Sequence, residues 1–325
     1  MPDRDRHDLV ATVIIPVLNE EGNIAEAIRS AVGDGRADVE VLVIDDHSTD
    51  STAEIAAAIP FVRVITNDGN GLADGMNTGL RQSSTEIVVC LDADDRLRDG
   101  AVDRLIQPFL VDPDLVLVYG GTTIVDVAGN PIATQGSLPT LDHMRVVAMA
   151  VNPVTQSGAT MRRTPVLEIG GYRREGDIEG ALDYDLWSRA FEAGLPMTSI
   201  DDVVCDRLIH ADSMTVRGRS SQFARADRIR LRNRQLWADD YLHAGRLRRL
   251  GHELVEGDSS LFNLWVMSMC RLTVAMLAAR RPVRAVHAAT PLLTLGPLRT
   301  ARGVWCKIRE LQSERSVRGW SRWRR

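Results

Sequence analysis

The sequence is short of cysteine and of long apolar runs, and each shortage excludes something. Its 325 residues hold four cysteines, Cys90, Cys205, Cys270 and Cys306. No two are closely spaced, so neither a zinc site nor a disulfide framework is indicated, and they read as reduced, mostly buried thiols of a cytosolic protein. The first ten residues, MPDRDRHDLV, lack the apolar core of a signal peptide. The longest apolar region, Leu261 to Ala279, is interrupted by Asn263 and Arg271. It falls short of the roughly 18 uninterrupted residues of a spanning helix, which leaves room only for a helix lying on a membrane. Residues 220–325 contain no repeat and no low-complexity tract, and no aromatic-basic motif favours nucleic acid.

What is present is an ordinary globular composition, 44% hydrophobic and 26% charged. The length suits one catalytic-sized domain with a helical extension. Net charge is −5, but it is unevenly spread: residues 271–325 carry 13 Lys and Arg against 2 Asp and Glu, a net +11 that leaves −16 for the rest. Such a tail suits phospholipid headgroups or a phosphate-bearing partner, and equally a solvated helical face. Arg217, Arg219, Arg225, Arg228, Arg230, Arg232 and Arg234 add a basic helix that also bears Phe223, Ile229, Leu231 and Leu236. It suits a polyprenyl-phosphate acceptor or anionic lipid, or simply a helix packed by its apolar face.

Taken in order, TVIIPV (Thr12 to Val17) reads as a first strand that passes into the loop LNEEGN. Asn23 is placed to cap a helix with Ile24, Ala27, Ile28 and Ala31 on one face. Glu40 to Ile44 is a second strand leading to DDHSTD, and Ser51 with Glu54 has the spacing of a capping box. A third strand, Phe61 to Thr66, leads through NDGNG into a helix from Leu72 to about Gln82. Ile87 to Leu91, five apolar residues without alternation, reads as a strand buried on both faces. Four such alternations predict a doubly wound, mostly parallel α/β sheet, with ligands outside the carboxyl ends of its strands. Beyond it, Val102, Leu105, Ile106 and Phe109 mark another helix and Leu115 to Tyr119 another strand. Gly120 to Pro139 reads as a hairpin or meander with Gly129-Asn130 at its turn.

The chemistry-bearing stretch is IVVCLDADDRL, where Asp92, Asp94 and Asp95 follow a buried strand. Carboxylates held so close raise one another's pKa unless a cation or donors intervene, which points to a divalent metal bridging to phosphate. The same three aspartates also suit a turn before the helix starting near Gly100. Gly69, Gly71 and Gly75 do not make a dinucleotide fingerprint, because the spacing is wrong and they follow the third strand; they let backbone approach a ligand or turn the chain.

Six segments in one order, IIPVLNEEGNI, VIDDHSTDST, GLADGMNTGL, CLDADD, LDYDLWSRAFEAG and RLIHADSMT, together resemble family 2 glycosyltransferases of the GT-A fold over roughly residues 10–216. The resemblance implies a GT-A domain over residues 1–216, its nucleotide-binding half at about 10–120 and its acceptor half at about 121–216, with a helical basic region at 217–325. It implies that Pro16, Asn19, Glu20, Asp45, Asp46, Gly71 and Asp92 serve the nucleotide, Asp92 at the ribose. Asp94 and His210 would ligate a divalent cation, Mg²⁺ or Mn²⁺, ions suited to hard carboxylate oxygens. Asp183 would be the general base for direct, inverting displacement. The implied donor is a UDP-, dTDP- or GDP-linked sugar. The acceptor is a glycan, a lipid-linked or a small molecule, and a second copy of the chain is a candidate partner. The implied setting is cytoplasmic, peripheral on the inner face of the cell membrane. Two positions depart from the family pattern: Leu182 stands where Glu usually precedes the catalytic Asp, and Met76 where Arg commonly precedes Asn77. A sugar-1-phosphate nucleotidyltransferase would need a basic glycine-rich loop after the first strand, and LNEEGN is acidic. A degenerate binding or assembly subunit would fit the two departures but not the retained Asp92, Asp94 and Asp183.

Overall fold

The computed structural model describes residues 9–33, 38–174, 180–210, 213, 219–255, 268–272, 276 and 288. In chain order the strands are β1 (Ala11–Val17), β2 (Val39–Asp45), β3 (Val62–Thr66), β4 (Ile87–Cys90), β5 (Arg96–Leu97), β6 (Leu117–Val125), β7 (Pro131–Gln135), β8 (Thr160–Arg162) and β9 (Met197–Leu208). The helices are α1 (Ile24–Val32), α2 (Thr52–Ala57), α3 (Leu72–Gln82), α4 (Ala101–Val111), α5 (Leu141–Ala148), α6 (Arg163–Glu168), α7 (Leu182–Glu192), α8 (Arg219–Tyr241) and α9 (Ala244–Val255). The chain divides into two units, residues 1–122 with 154–208, and residues 123–153 with 209–325.

In the first unit the strands run β3-β2-β1-β4-β8-β6-β9-β5. The β3-β2-β1-β4 half is parallel, in register Ile14↔Leu42 and Ile14↔Cys90 across the centre. The second half is antiparallel, with β8 wedged between β4 and β6 and with β9 pairing β5. The expected doubly wound α/β sheet is therefore the parallel half of a mixed sheet.

Both faces of the parallel half are covered, which is why its strands read as unbroken apolar runs. Val13, Ile15, Val41, Val43 and Val89 pack with Ile24, Ala27 and Ile28 of α1 and Leu105 and Phe109 of α4. The helical faces expected for α1 and α4 are buried as their spacing predicted. On the other face α3 comes in at Gly79, where an added Cβ would lie 3.0 Å from Ile44 Cδ1 and 3.3 Å from Ile14 Cβ. Glycine permits that approach without displacing either isoleucine.

Two expected caps are not formed. Asn23 precedes α1 but makes no capping bond; its Nδ2 donates to Glu20 Oε2 at 2.8 Å instead. Ser51 likewise caps nothing with its side chain. Asp50 takes that place, its Oδ1 accepting from the Thr52 N–H at 3.0 Å, while Glu21 Oε2 accepts from the Ser51 N–H. Carboxylates of the same two loops, Glu20, Asp50 and Glu21, engage these groups instead.

In the second unit the hairpin appears where expected: β7 pairs with β6, and Asp126 closes the turn by accepting from the N–H groups of Ala128 and Asn130. Helix α5, which the sequence reading did not anticipate, starts at Thr140, whose side chain accepts from the His143 N–H. Its carboxyl end is held by α8, where Asn233 Nδ2 donates to Ala148 O at 2.8 Å and Arg234 Nε to Met149 O at 2.9 Å. Ile229, Trp237, Ala238 and Tyr241 of α8 are buried, but Leu231 and Leu236 are 55% and 40% exposed, so the apolar stripe is narrower than the sequence suggested. Arg217, the side chains of Arg219 and Phe223, Cys306 and almost all of the basic tail lie outside the described residues. Among the described residues no helix is long and apolar enough to cross a membrane.

Candidate active site

At the carboxyl ends of β1 and β2 two loops are stitched together by polar side chains. Pro16 is buried in β1, and Asn19 sits at φ 55°. Asn19 Oδ1 accepts from the Thr49 N–H at 2.8 Å, while its own N–H donates to Ser48 Oγ at 3.0 Å. The Glu20 N–H donates to Thr52 Oγ1 at 2.8 Å. Asp45, almost fully buried, accepts from the Ser48 N–H at 3.2 Å. Asp46 accepts from Asn67 Nδ2 at 2.7 Å and from the Gly71 N–H at 2.9 Å. Gly71, at φ 82°, thus serves as a turn that ties the start of α3 to Asp46. Pro16 and Asp45, near the ends of β1 and β2, and Asn19, Glu20, Asp46 and Gly71 in the loops therefore fall at one end of the parallel strands.

The carboxylates after β4 follow the strand that pairs in parallel with β1, so they leave the sheet at the same end as the β1 loop. Asp92 and Asp94 are half-buried, whereas Asp95 is 3% exposed. Burial, the charge of Asp94 and the charge of Asp183 together push Asp92 up to about 7, against the opposing charge of Arg207. Asp183, some ninety residues later in the chain, is thus brought into the field of the Asp92–Asp94 pair. Asp95 is raised well above the usual carboxylate range by burial and by Asp92 and Asp94.

Helix α7 explains how one of two neighbouring aspartates is singled out. Asp183 lies in its first turn, half-buried, with Oδ1 accepting from the Tyr184 N–H at 2.8 Å. Asp185 is 4% exposed and committed to Arg189, whose Nε donates to it at 2.8 Å. Arg189 also donates to the carbonyls of Ile169 and Gly171, anchoring the Gly170-Gly171-Tyr172 strap. From the other side Asn77 grips the same strap, Nδ2 donating to Tyr172 O at 2.6 Å and Oδ1 accepting from the Tyr172 N–H at 2.9 Å. Leu182 and Met76, the two departures, are 5% and 1% exposed and fill the core. Met76 Sδ accepts from Gln156 Nε2 at 3.5 Å.

His210 belongs to the second unit, where its N–H donates to Ser213 Oγ at 3.0 Å. Among the described residues no group of three or more His, Cys, Asp and Glu side chains forms a ready cage for a metal ion. The donor chemistry nevertheless fits a hard cation: the repulsion among Asp92, Asp94 and Asp183 is what a divalent ion beside oxygen ligands would relieve.

Three functional candidates escaped the sequence reading. Arg207, whose positive charge favours ionised Asp92 and Asp95, was visible only as the R of R-x-x-H-x-x-S. Ser157 and Tyr172 carried no spacing signal; only the fold brings them to β4.

Residues 12–170 match the family model described as "Glycosyl transferase family 2". The chain is 27% identical over 212 residues to a chondroitin synthase of Escherichia coli, covering 64% of this chain and 30% of that protein. It is 26% identical over 213 residues to a hyaluronan synthase of Pasteurella multocida (64% and 21%). A poly-β-1,6-N-acetyl-D-glucosamine synthase of Staphylococcus aureus is 26% identical over 172 residues (49% and 41%). The chain thus spans less than half the length of each of these relatives. Among solved structures, residues 1–349 of S. aureus TarS in complex with UDP align with TM-score 0.54 at 18% identity, over 87% of this chain and 88% of that one. That alignment supports the GT-A arrangement of the sheet.

Proposed function

On the match of residues 12–170 to the family 2 glycosyltransferase model, we propose that the chain is a family 2 glycosyltransferase, a metal-dependent, inverting enzyme moving a sugar from a nucleotide-sugar to an acceptor hydroxyl. The observation that supports this reading is that the charges of Asp94 and Asp183 both act on Asp92, as a base and a diphosphate anchor sharing one site would.

The β1 and β2 loops, with Asp45, would receive the base, and Asp92 the ribose. Asp94 would hold a divalent cation. When bound, that ion supplies Lewis-acid neutralisation of charge on the nucleoside diphosphate leaving group. Asp183 Oδ would take the acceptor hydroxyl's proton as the oxygen attacks the anomeric carbon, and inversion follows from a single displacement. Leu182 and Met76, being core residues, contribute no polar contact to donor or acceptor. The glycan synthases among the relatives support a role in surface glycan or glycolipid synthesis. The +11 of residues 271–325 suits an anionic membrane surface.

Asp183→Asn tests the assignment. Release of nucleotide from the sugar donor should fall by about 10²–10⁴-fold with nucleotide binding retained, whereas unchanged turnover would remove Asp183 from the chemistry.

A further inference from the structure

Resting on that reading, the inference concerns the third carboxylate of the CLDADD segment. Asp95 is 3% exposed and its two oxygens are already engaged. Ser157 Oγ–H donates to Asp95 Oδ2 at 2.5 Å, and the Leu208 N–H donates to Asp95 Oδ1 at 3.0 Å. Ser157 Oγ also accepts from the Asp92 N–H at 3.1 Å. Three segments distant in sequence, residues 92–95, the turn at Ser157 and the end of β9, therefore meet on one carboxylate. Pairing of Arg96 with Asp206 and Leu97 with Cys205 continues the contact and sets Arg207 opposite Asp95.

We propose that Asp95 is a positioning residue and not a cation ligand: with Ser157 it locks the Asp92–Asp94 loop to the end of β9, fixing Asp92, Asp94 and Arg207 in one frame. A group held this way by hydrogen bonds rather than by an ion orients the ligands without touching the substrate, and losing such support costs about 10- to 100-fold in metal affinity. The lock is also self-consistent, because Ser157 spends its one proton on Asp95 while a lone pair takes the Asp92 N–H.

The test uses amide exchange over residues 88–97 and 203–210 alongside Mn²⁺-dependent binding of UDP, GDP and dTDP to the full chain. Ser157→Ala and Asp95→Ala should speed exchange in both segments together and weaken binding by about 10- to 100-fold. Asp95→Asn keeps an acceptor for Leu208 and turns its other contact into a donor to Ser157 Oγ, so it should restore both readouts. Asp94→Asn should lose Mn²⁺-dependent binding with exchange unchanged. Exchange unaltered in Ser157→Ala and Asp95→Ala overturns the lock, as does an Asp95→Asn protein that loses binding in the manner of Asp94→Asn. Ser157→Ala, the milder change, decides the matter where Asp95→Ala does not fold. If the unsubstituted chain binds none of the nucleotides, the transferase reading fails, while the exchange data still decide the lock.

Discussion

Asp183 and Asp185 stand two residues apart in one helix turn, yet their surroundings give them separate tasks. Asp185 is spent on Arg189 in a pair of side chains 6% and 5% exposed. Removing one partner of such a pair strands a charge, so Arg189→Ala should cost about 3–5 kcal/mol in denaturant unfolding, and Asp185→Leu with Arg189→Met much less. Glu40 makes a comparable case in the sheet. Burial raises its pKa, but the Ser84 N–H, Thr12 and Arg63 outweigh that and hold it below its usual value. A carboxylate depressed in the folded state contributes stability that is present above the unfolded pKa and lost as pH falls through the folded one. Glu40→Gln should therefore flatten the acid limb of a pH–stability curve below about pH 4.5, the region where the parent loses stability; an unchanged limb would contradict the assignment.

At the scale of elements, the strap before α7 is where backbone geometry is least forgiving. Gly171 has φ 54°, and an added Cβ would run into Asn77 Oδ1. Gly171→Ala should lower stability by about 1–3 kcal/mol, read as a shift in melting temperature. In the second unit, His143 of α5 is fully buried, with Nδ1 2.7 Å from Thr140 Oγ1 and Nε2 2.9 Å from Leu250 O; Glu253 Oε2 is 3.6 Å away. Burial lowers its pKa despite the opposing pull of the Leu250 carbonyl, Glu253 and Asp142. For a histidine held neutral, stability is complete above the unfolded value of 6.5 and declines as pH drops below it. The melting temperature should fall between pH 7 and 5, with a shallower slope in His143→Asn. The parallel elements were legible because each βα unit carries its own period and polar loop, and α3 has the expected bounds. Strand β8 has only three residues and β9 reads MTSIDDVVCDRL, mostly half-exposed, so neither shows a period; their strand state comes from pairing partners far away in sequence.

For the whole molecule, the order of the motifs announced a site, while its assembly did not follow from order alone. That Asp183 acts on Asp92 through its charge, that Asp95 is engaged by Ser157 and Leu208, and that Leu182 and Met76 fill core space all depend on proximity across many tens of residues. Spacing carries no record of them. The division of the chain is similarly hidden, since the boundary at residues 122 and 123 falls inside the continuous strand β6. The central claim, a nucleotide-sugar site that works with a divalent cation, is tested most directly by thermal melting with UDP, dTDP and GDP, each with Mn²⁺ and with EDTA. A ligand that binds the native state raises the midpoint by mass action. One nucleotide series should raise it with Mn²⁺, and EDTA or Asp94→Asn should abolish the rise. A folded protein whose midpoint moves with none of the three would contradict the account.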